Sequence, residues 1–369
     1  MNHKKIYALL ATLPLFIGTA SASTPLVGMP PVLDQNDIYA ADRPNQLSPV
    51  VEKFPTRVYV PNHTSNTVTE IDPKTFKIIR TIPMKAGPQH IVPSWDLKTL
   101  WVNNNEGNYL TPIDPMTGLA GKPVYVHDPY NLYFTPNGKY AVVMAEADKQ
   151  IVFRDPHTMA IKKVLKVPCE GVNHADWTKD GNYFLASCEF SGSVIWINTA
   201  KMEIEKVMEL PTTYAKHPMP QDIKISPDGS TFYIADMMSN GIWVMKTEKV
   251  GEFSFIKTGI EAHGMYVNRD SKSMLITNRG EGSVSVLRFS DNALIAKWKI
   301  PGGGSPDMGG ISADGTQFWV SGRYNGVVYV FDIANGKFLR AIKVGKEPQG
   351  LAIYPQPGRY SLGHTGVFR

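Results

Sequence analysis

The sequence predicts an all-β chain, a seven-bladed ring of four-stranded antiparallel blades, on three observations. Seven segments share one layout: an alternating apolar strand, a polar loop, a second strand and a tight turn. They begin at Val58, Leu100, Ala141, Phe184, Phe232, Met274 and Phe318. Successive starts lie 41 to 48 residues apart, the length of a four-stranded propeller blade. Two turn signals recur in phase with that period. Finally, 31 Gly and 28 Pro among 369 residues punctuate the chain as short strands would require, not as long helices would.

The chain opens on a segment outside this pattern. Lys4 and Lys5 precede an apolar run from Ile6 to Ile17, and Ala20-Ser21-Ala22 follows. That is the order of a secretory signal, residues 1–22, cleaved after Ala22. The run is too short to cross a bilayer, and no Cys stands near the cleavage point to carry a lipid. No later apolar run reaches 18 residues, so an exported protein, periplasmic or secreted and without a membrane span, is expected. Cleavage removes two lysines and no acid, and the formal charge falls from +5 to +3. So mild a balance does not point to nucleic acid. Residues 23–54 are Pro-rich without a clear period and read as an extended arm.

Within the repeats, a turn position follows each start by fourteen residues: Asp72, Asp114, Asp155, Asn198, Lys246, Arg288 and Asp332. The clearest copies read Asp72-Pro73-Lys74-Thr75 and Asp114-Pro115-Met116-Thr117-Gly118. Asp bonds its own backbone there, Pro presets φ and Gly accepts positive φ. A second turn precedes each start, as in Pro136-Asn137-Gly138 and Pro227-Asp228-Gly229. Eight residues before its centre stands a Pro in five of the seven copies: Pro88, Pro129, Pro220, Pro306 and Pro348. Between that Pro and the turn lies a short inner strand. Counted from Val58, the first blade lacks its inner strand, and Gly350 to Tyr354 is the inner-strand copy with no blade of its own. The ring is therefore expected to close there and to span residues 55–357, with a tail at 358–369 and no open sheet edge between the chain ends.

Val58-Tyr59-Val60-Pro61-Asn62, Leu100-Trp101-Val102-Asn103-Asn104 and Phe232-Tyr233-Ile234-Ala235-Asp236 resemble the repeat of the YVTN-type β-propeller family. The resemblance covers roughly residues 55–357. Relatives in that superfamily include secreted binding proteins, haem-d1 domains of nitrite reductases, lactonase-like propellers and heavy chains of amine dehydrogenases. It implies the architecture and leaves the chemistry open. The ending from Tyr354 to Gly366 is similar to the tail of a secreted bacterial subgroup.

Propellers place ligands on the face carrying the loops that enter the inner strand and those that join strands two and three. Six histidines map to that face: His63, His90, His127, His174, His217 and His263; His157 and His364 do not. Glu106, Glu146, Asp148, Glu170, Glu189, Asp222, Glu281 and Asp307 join them, with Arg279, Arg323, Tyr130, Tyr214 and Met308. His90, His174 and Asp222 hold equivalent inner-strand positions, and His263 stands one earlier in its own blade. Equivalent positions sit at similar heights, so these four are the candidate metal ligands. His90, His174, His263, Arg279 and Arg323 are the candidate cofactor contacts, with the arginines pairing with cofactor carboxylates. The rival reading is a set of solvated loop side chains. There is no His-Glu-x-x-His, Cys-x-x-Cys or Cys-x-x-Cys-His, which excludes a covalent c-type haem. Gly302-Gly303-Gly304 precedes no helix and cradles no phosphate. No Gly-x-Ser-x-Gly elbow supports serine hydrolysis.

Cys169 and Cys188 fall near one rim of one predicted hairpin. A disulfide is the first expectation in an exported protein, with free buried thiols second and a metal pair with His174 third. Trp101, Trp196, Trp243 and Trp319 lie in predicted strands and read as blade packing. The runs at Lys162-Lys163 and Lys343 to Lys346 read as solvated edges that discourage sheet addition. The leading expectation is a monomeric, exported scaffold binding a small-molecule ligand or protein partner through its His-rich face. The competing one is an oxidoreductase-associated propeller holding a transition metal or haem-like group, and the third is a lactonase-type hydrolase with an activated water. No catalytic residue is assigned.

Overall fold

The computed structural model describes residues 24–364 and 367–369. The signal at residues 1–22 lies outside them. Turn chemistry sets the frame of every blade. At the turns between the two outer strands, the carboxylates of Asp72, Asp114 and Asp332 accept the N–H groups of Lys74, Met116 and Ala334 at 2.8–2.9 Å. At the turns leaving the inner strands, Thr178, Ser226 and Ser312 donate to Asp180, Asp228 and Asp314, and each carboxylate accepts an N–H two residues on. Gly181 and Gly229 follow at φ +72° and +74°, which is why the turns end on Gly.

Blade I joins Arg57–Asn62, Thr67–Asp72 and Lys77–Pro83 to the closing strand Ala352–Tyr354. Blades II to VII carry inner strands Pro88–Pro93, Asn131–Phe134, Val172–Trp177, Pro220–Ile225, Ala262–Val267 and Pro306–Ile311, followed in each case by their own outer strands. The outermost strand of blade II is split into Leu119–Ala120 and Val124–Tyr125. Ring closure pairs Val58 with Ile353 and Tyr59 with Ala352. The closing strand expected within Gly350 to Tyr354 is the one found.

The three inner strands of each blade are buried almost throughout, because neighbouring blades cover both of their faces. Trp101, Trp196, Trp243 and Trp319 fill these interfaces. Only the outermost strands are largely open to solvent. Ile161–Lys166 and Phe338–Lys343 turn their lysines to water and leave a charged edge.

Two segments break the sevenfold repeat. Residues 24–54 run as successive turns, with one short 3-10 turn at Ala40–Asp42, across the face carrying the inner-strand turns. Leu26, Ile38 and Asn45 donate their N–H groups to Asp180, Pro227 and Ala313, each at 2.8 Å. The tail then folds as a hairpin of Ser361–Gly363 and Val367–Phe368 inside the ring, beside the inner strand of blade III. It rises from the arm-covered face, where Tyr360 stacks on Trp95, to His364, whose N–H bonds Leu132 O at 3.0 Å. Arg369 anchors it, donating to Asp176 Oδ1 at 2.8 Å with its guanidinium 4.5 Å above the Tyr39 ring.

Candidate functional site in the central channel

Five inner strands carry the same irregularity close to their loop-face ends. The pairing register shifts just after Pro88, Val172, Pro220, Ala262 and Pro306. An extra residue in a strand re-aims its neighbours, and the bulges fall at Gln89, Asn173–His174, Gln221–Asp222, His263–Gly264 and Asp307–Met308. Hydroxyls hold them open: Ser187, Thr277 and Ser321 accept the N–H groups of His174, Gly264 and Met308 at 2.7–3.3 Å. The channel thus has two layers. The upper one holds Gln89, Tyr130, Asn173, Gln221, His263, Asp307 and Gln349. The lower one holds His90, Asn131, His174 and Asp222.

The lower layer is closed by the tail. His364 sits 4.9 Å from the His90 ring and 4.8 Å from the His174 ring, centroid to centroid. His174 lies 6.4 Å from His263. All four are buried. Burial holds His90 down to about 3 and keeps His174, His263 and His364 well below the usual imidazole range, so all four are neutral at pH 7. Asp222 accepts the N–H groups of Ile223 and Met265 at 2.9 and 2.8 Å, which clips blade V to blade VI. Its Oδ1 also lies 3.6 Å from the buried Lys224 Nζ and 3.9 Å from His364 Nε2. Burial raises its carboxyl, and Lys224 opposes that rise.

Above this floor the wall is charged unevenly. On one side, Arg279 pairs with Asp307 and Glu261, both at 3.2 Å, and Arg323 pairs with Glu347 at 3.1 Å. Both guanidiniums lie within 6 Å of the exposed Tyr324 ring. Facing them are Glu146 and Glu189, which share the amide of Asn173 at 3.4 and 2.7 Å. Neither forms an ion pair among the described residues. Burial, then Glu189 and Asp128, pushes Glu146 up to about 8; burial also raises Glu189.

The sequence-predicted residues therefore separate. His90, His174 and Asp222 share the lower layer, and His263 sits above them with its Nδ1 3.4 Å from Asp307 Oδ1. His63 lies between Glu106 and Glu347, each at 3.6 Å, and His127 pairs with Asp148 at 3.0 Å. His127 and His217 are exposed and do not enter the channel. His364, which maps to no rim loop, joins the cluster by way of the tail. Cys169 and Cys188 form a disulfide with Cα atoms 5.9 Å apart, flanking the start and the end of the blade IV hairpin.

Residues 44–357 match the family model described as YncE-like β-propeller. The chain belongs to the YncE-like β-propeller family. No curated protein matches it. Hydrazine synthase of Kuenenia stuttgartiensis is similar to this YncE-like ring at 17% identity and TM-score 0.61, covering 71% of this chain and 88% of that one. A periplasmic gluconolactonase of Pseudomonas aeruginosa is similar at 15% and 0.67, covering 82% and 99%. A dihydro-haem d1 dehydrogenase solved in complex is similar at 14% and 0.60, covering 84% and 76%. Identities this low carry the fold alone, and the three names span unrelated chemistries.

A haem-like macrocycle does not fit the YncE-like channel floor. The rings of His90, His174, His263 and His364 pack edge to face at 4.8–6.4 Å, which leaves no slot for a macrocycle between them. Arg279 and Arg323, expected to hold cofactor carboxylates, are engaged by the protein's own Asp307, Glu261 and Glu347.

Proposed function

We propose that this protein is an exported, non-covalent binding propeller that draws a small cationic ligand into its channel from the loop face. Export is supported by the segment at residues 1–22 and by the Cys169–Cys188 disulfide, a bond at home in oxidising compartments. The observation that carries the ligand class is the Glu146–Glu189 pair. Two carboxylates share one amide donor, have no ion-pair partner among the described residues, and Glu146 is pushed up to about 8. A cation between them favours the charged form of both and supplies an ion pair to each. The wider mouth points the same way, since Asp307, Glu261 and Glu347 already balance the two arginines. The histidines add no positive charge below.

This reading favours a channel ligand over a protein docked on a His-rich surface, because His90, His174 and His263 are buried. The test is thermal shift of the purified chain against primary amines, polyamines and quaternary ammonium ions, each paired with a neutral isostere. Cationic members are expected to raise the melting temperature, and the Glu146→Gln, Glu189→Gln double variant to lose that response. Stabilisation by anions in place of cations would reverse the assignment.

A further inference from the structure

We infer that the channel floor is a transition-metal site whose ligand set is begun by two blades and completed by the tail: His174, Asp222 and His364 hold one divalent first-row ion. The inference rests on the reading that cations enter from the loop face. Each of the three residues offers one donor atom, and the three atoms lie within 4.8 Å of one another, all fully buried. Imidazole with carboxylate is a donor set for zinc and its neighbours, and three protein ligands leave a position open.

A second observation points to the same place. The His90 ring lies 4.9 and 5.9 Å from those of His364 and His174, is 2% exposed, and neither of its nitrogens has a hydrogen-bond partner among the described residues. Buried polar atoms are nearly always paired. An unpaired imidazole turned into a His and Asp cluster marks the place of a further donor.

Two neighbours set the affinity. The Asn131 Nδ2 group faces Nδ1 of His364 and His174 at 3.1 and 3.4 Å, and also Asn173 O and Tyr133 Oη at 3.2 and 3.4 Å. Its two hydrogens serve four acceptors. A ring that ligates through Nε2 carries its proton on Nδ1 and needs an acceptor there, which Asn131→Asp supplies to both rings. Lys224 Nζ, 3.6 Å from Asp222 Oδ1, is the cation an incoming ion must share that carboxylate with. Removing its charge favours the metal.

The experiment is calorimetric titration of the chelator-treated full chain with Zn²⁺, with Co²⁺ absorption as a second readout. One ion per chain is expected. His174→Ala and His364→Ala are each expected to weaken binding by about tenfold or more, while Lys224→Met and Asn131→Asp tighten it by about tenfold. The exposed His157→Ala variant leaves it unchanged. No stoichiometric uptake of either ion by the wild type, or unchanged affinity in both His variants, overturns the site. If those variants fail to fold, X-ray absorption of the Zn²⁺-loaded wild type decides: imidazole scattering from two or more histidines supports the site, and oxygen-only coordination overturns it. Amine binding that survives where Zn²⁺ fails overturns this inference alone, whereas failure of both overturns the cationic-ligand reading as well.

Discussion

Arg369→Met tests whether one buried ion pair holds the tail in the channel. Arg369 is 6% exposed, and its partner Asp176 is fully buried. Asp176 also accepts the N–H groups of Trp177 and Ile225 at 2.8 and 3.0 Å, so the carboxylate stays where it is when the guanidinium goes. Methionine keeps most of the apolar stem. What is lost is the charge opposite Asp176 and the contact 4.5 Å above Tyr39. Stranding one partner of a buried pair costs about 3–5 kcal/mol, and the cation–π contact contributes about 1 kcal/mol more. The two backbone donors offset part of this, which leaves about 3 kcal/mol. With an unfolding entropy of about 2 cal/mol/K per residue, that lowers the melting temperature of so long a chain by about 4 °C. Adding Asp176→Asn removes the stranded charge, so the double variant is expected to recover most of the loss. The assay is thermal unfolding followed by tryptophan fluorescence, together with hydrogen exchange of the tail peptide, where the His364 amide bonded to Leu132 reports release. A loss under about 1 kcal/mol with the tail amide still protected would refute the claim that this pair anchors the hairpin.

Glu146→Gln should change stability in a pH-dependent way. A carboxyl raised from 4.5 to about 8 gives stability that is present below pH 4.5 and lost as pH rises through 8. The variant is therefore expected to match the wild type at pH 4.5 and exceed it at pH 9 by on the order of 2 kcal/mol, read from urea titrations at each pH. Replacing Cys169 and Cys188 together by Ser opens a loop of sequence separation 19 and is expected to cost up to about 3 kcal/mol, with reductant giving the same loss in the wild type. Tyr39→Phe removes the hydroxyl donated to Ile225 O at 2.9 Å and is expected to cost about 1 kcal/mol, loosening the arm before the blades.

The ring was legible because its signals repeat. Asp72, Asp114 and Asp332 recur in phase with Gly and Pro, and a count of inner strands places Ala352–Tyr354 in blade I. The site was only partly legible. His90, His174 and Asp222 share a repeat position, so the period brings them to one height. His263 looked displaced because a bulge falls at His263–Gly264, and a local register shift leaves no mark in a strand pattern. His364 was out of reach for a different reason. The tail has no copy elsewhere in the chain, so nothing in the repeat says that it turns back into the ring. Nor does composition reveal the shared amide that leaves Glu146 and Glu189 short of a cation.

The bulged inner strands have a consequence for how such a protein diversifies. Residues that pack blade against blade, such as Phe184 or Trp319, lie outside the bulges, and the turns that set the period lie on the far edges. A substitution at Gln89 or Gln221 therefore alters the lining of the channel without touching the packing between blades. The tail adds a second route, because a change at His364 alters the floor from outside the seven blades. Much of the channel lining is thus encoded apart from the blade interfaces, and it can change in such a ring while most of the scaffold stays constant.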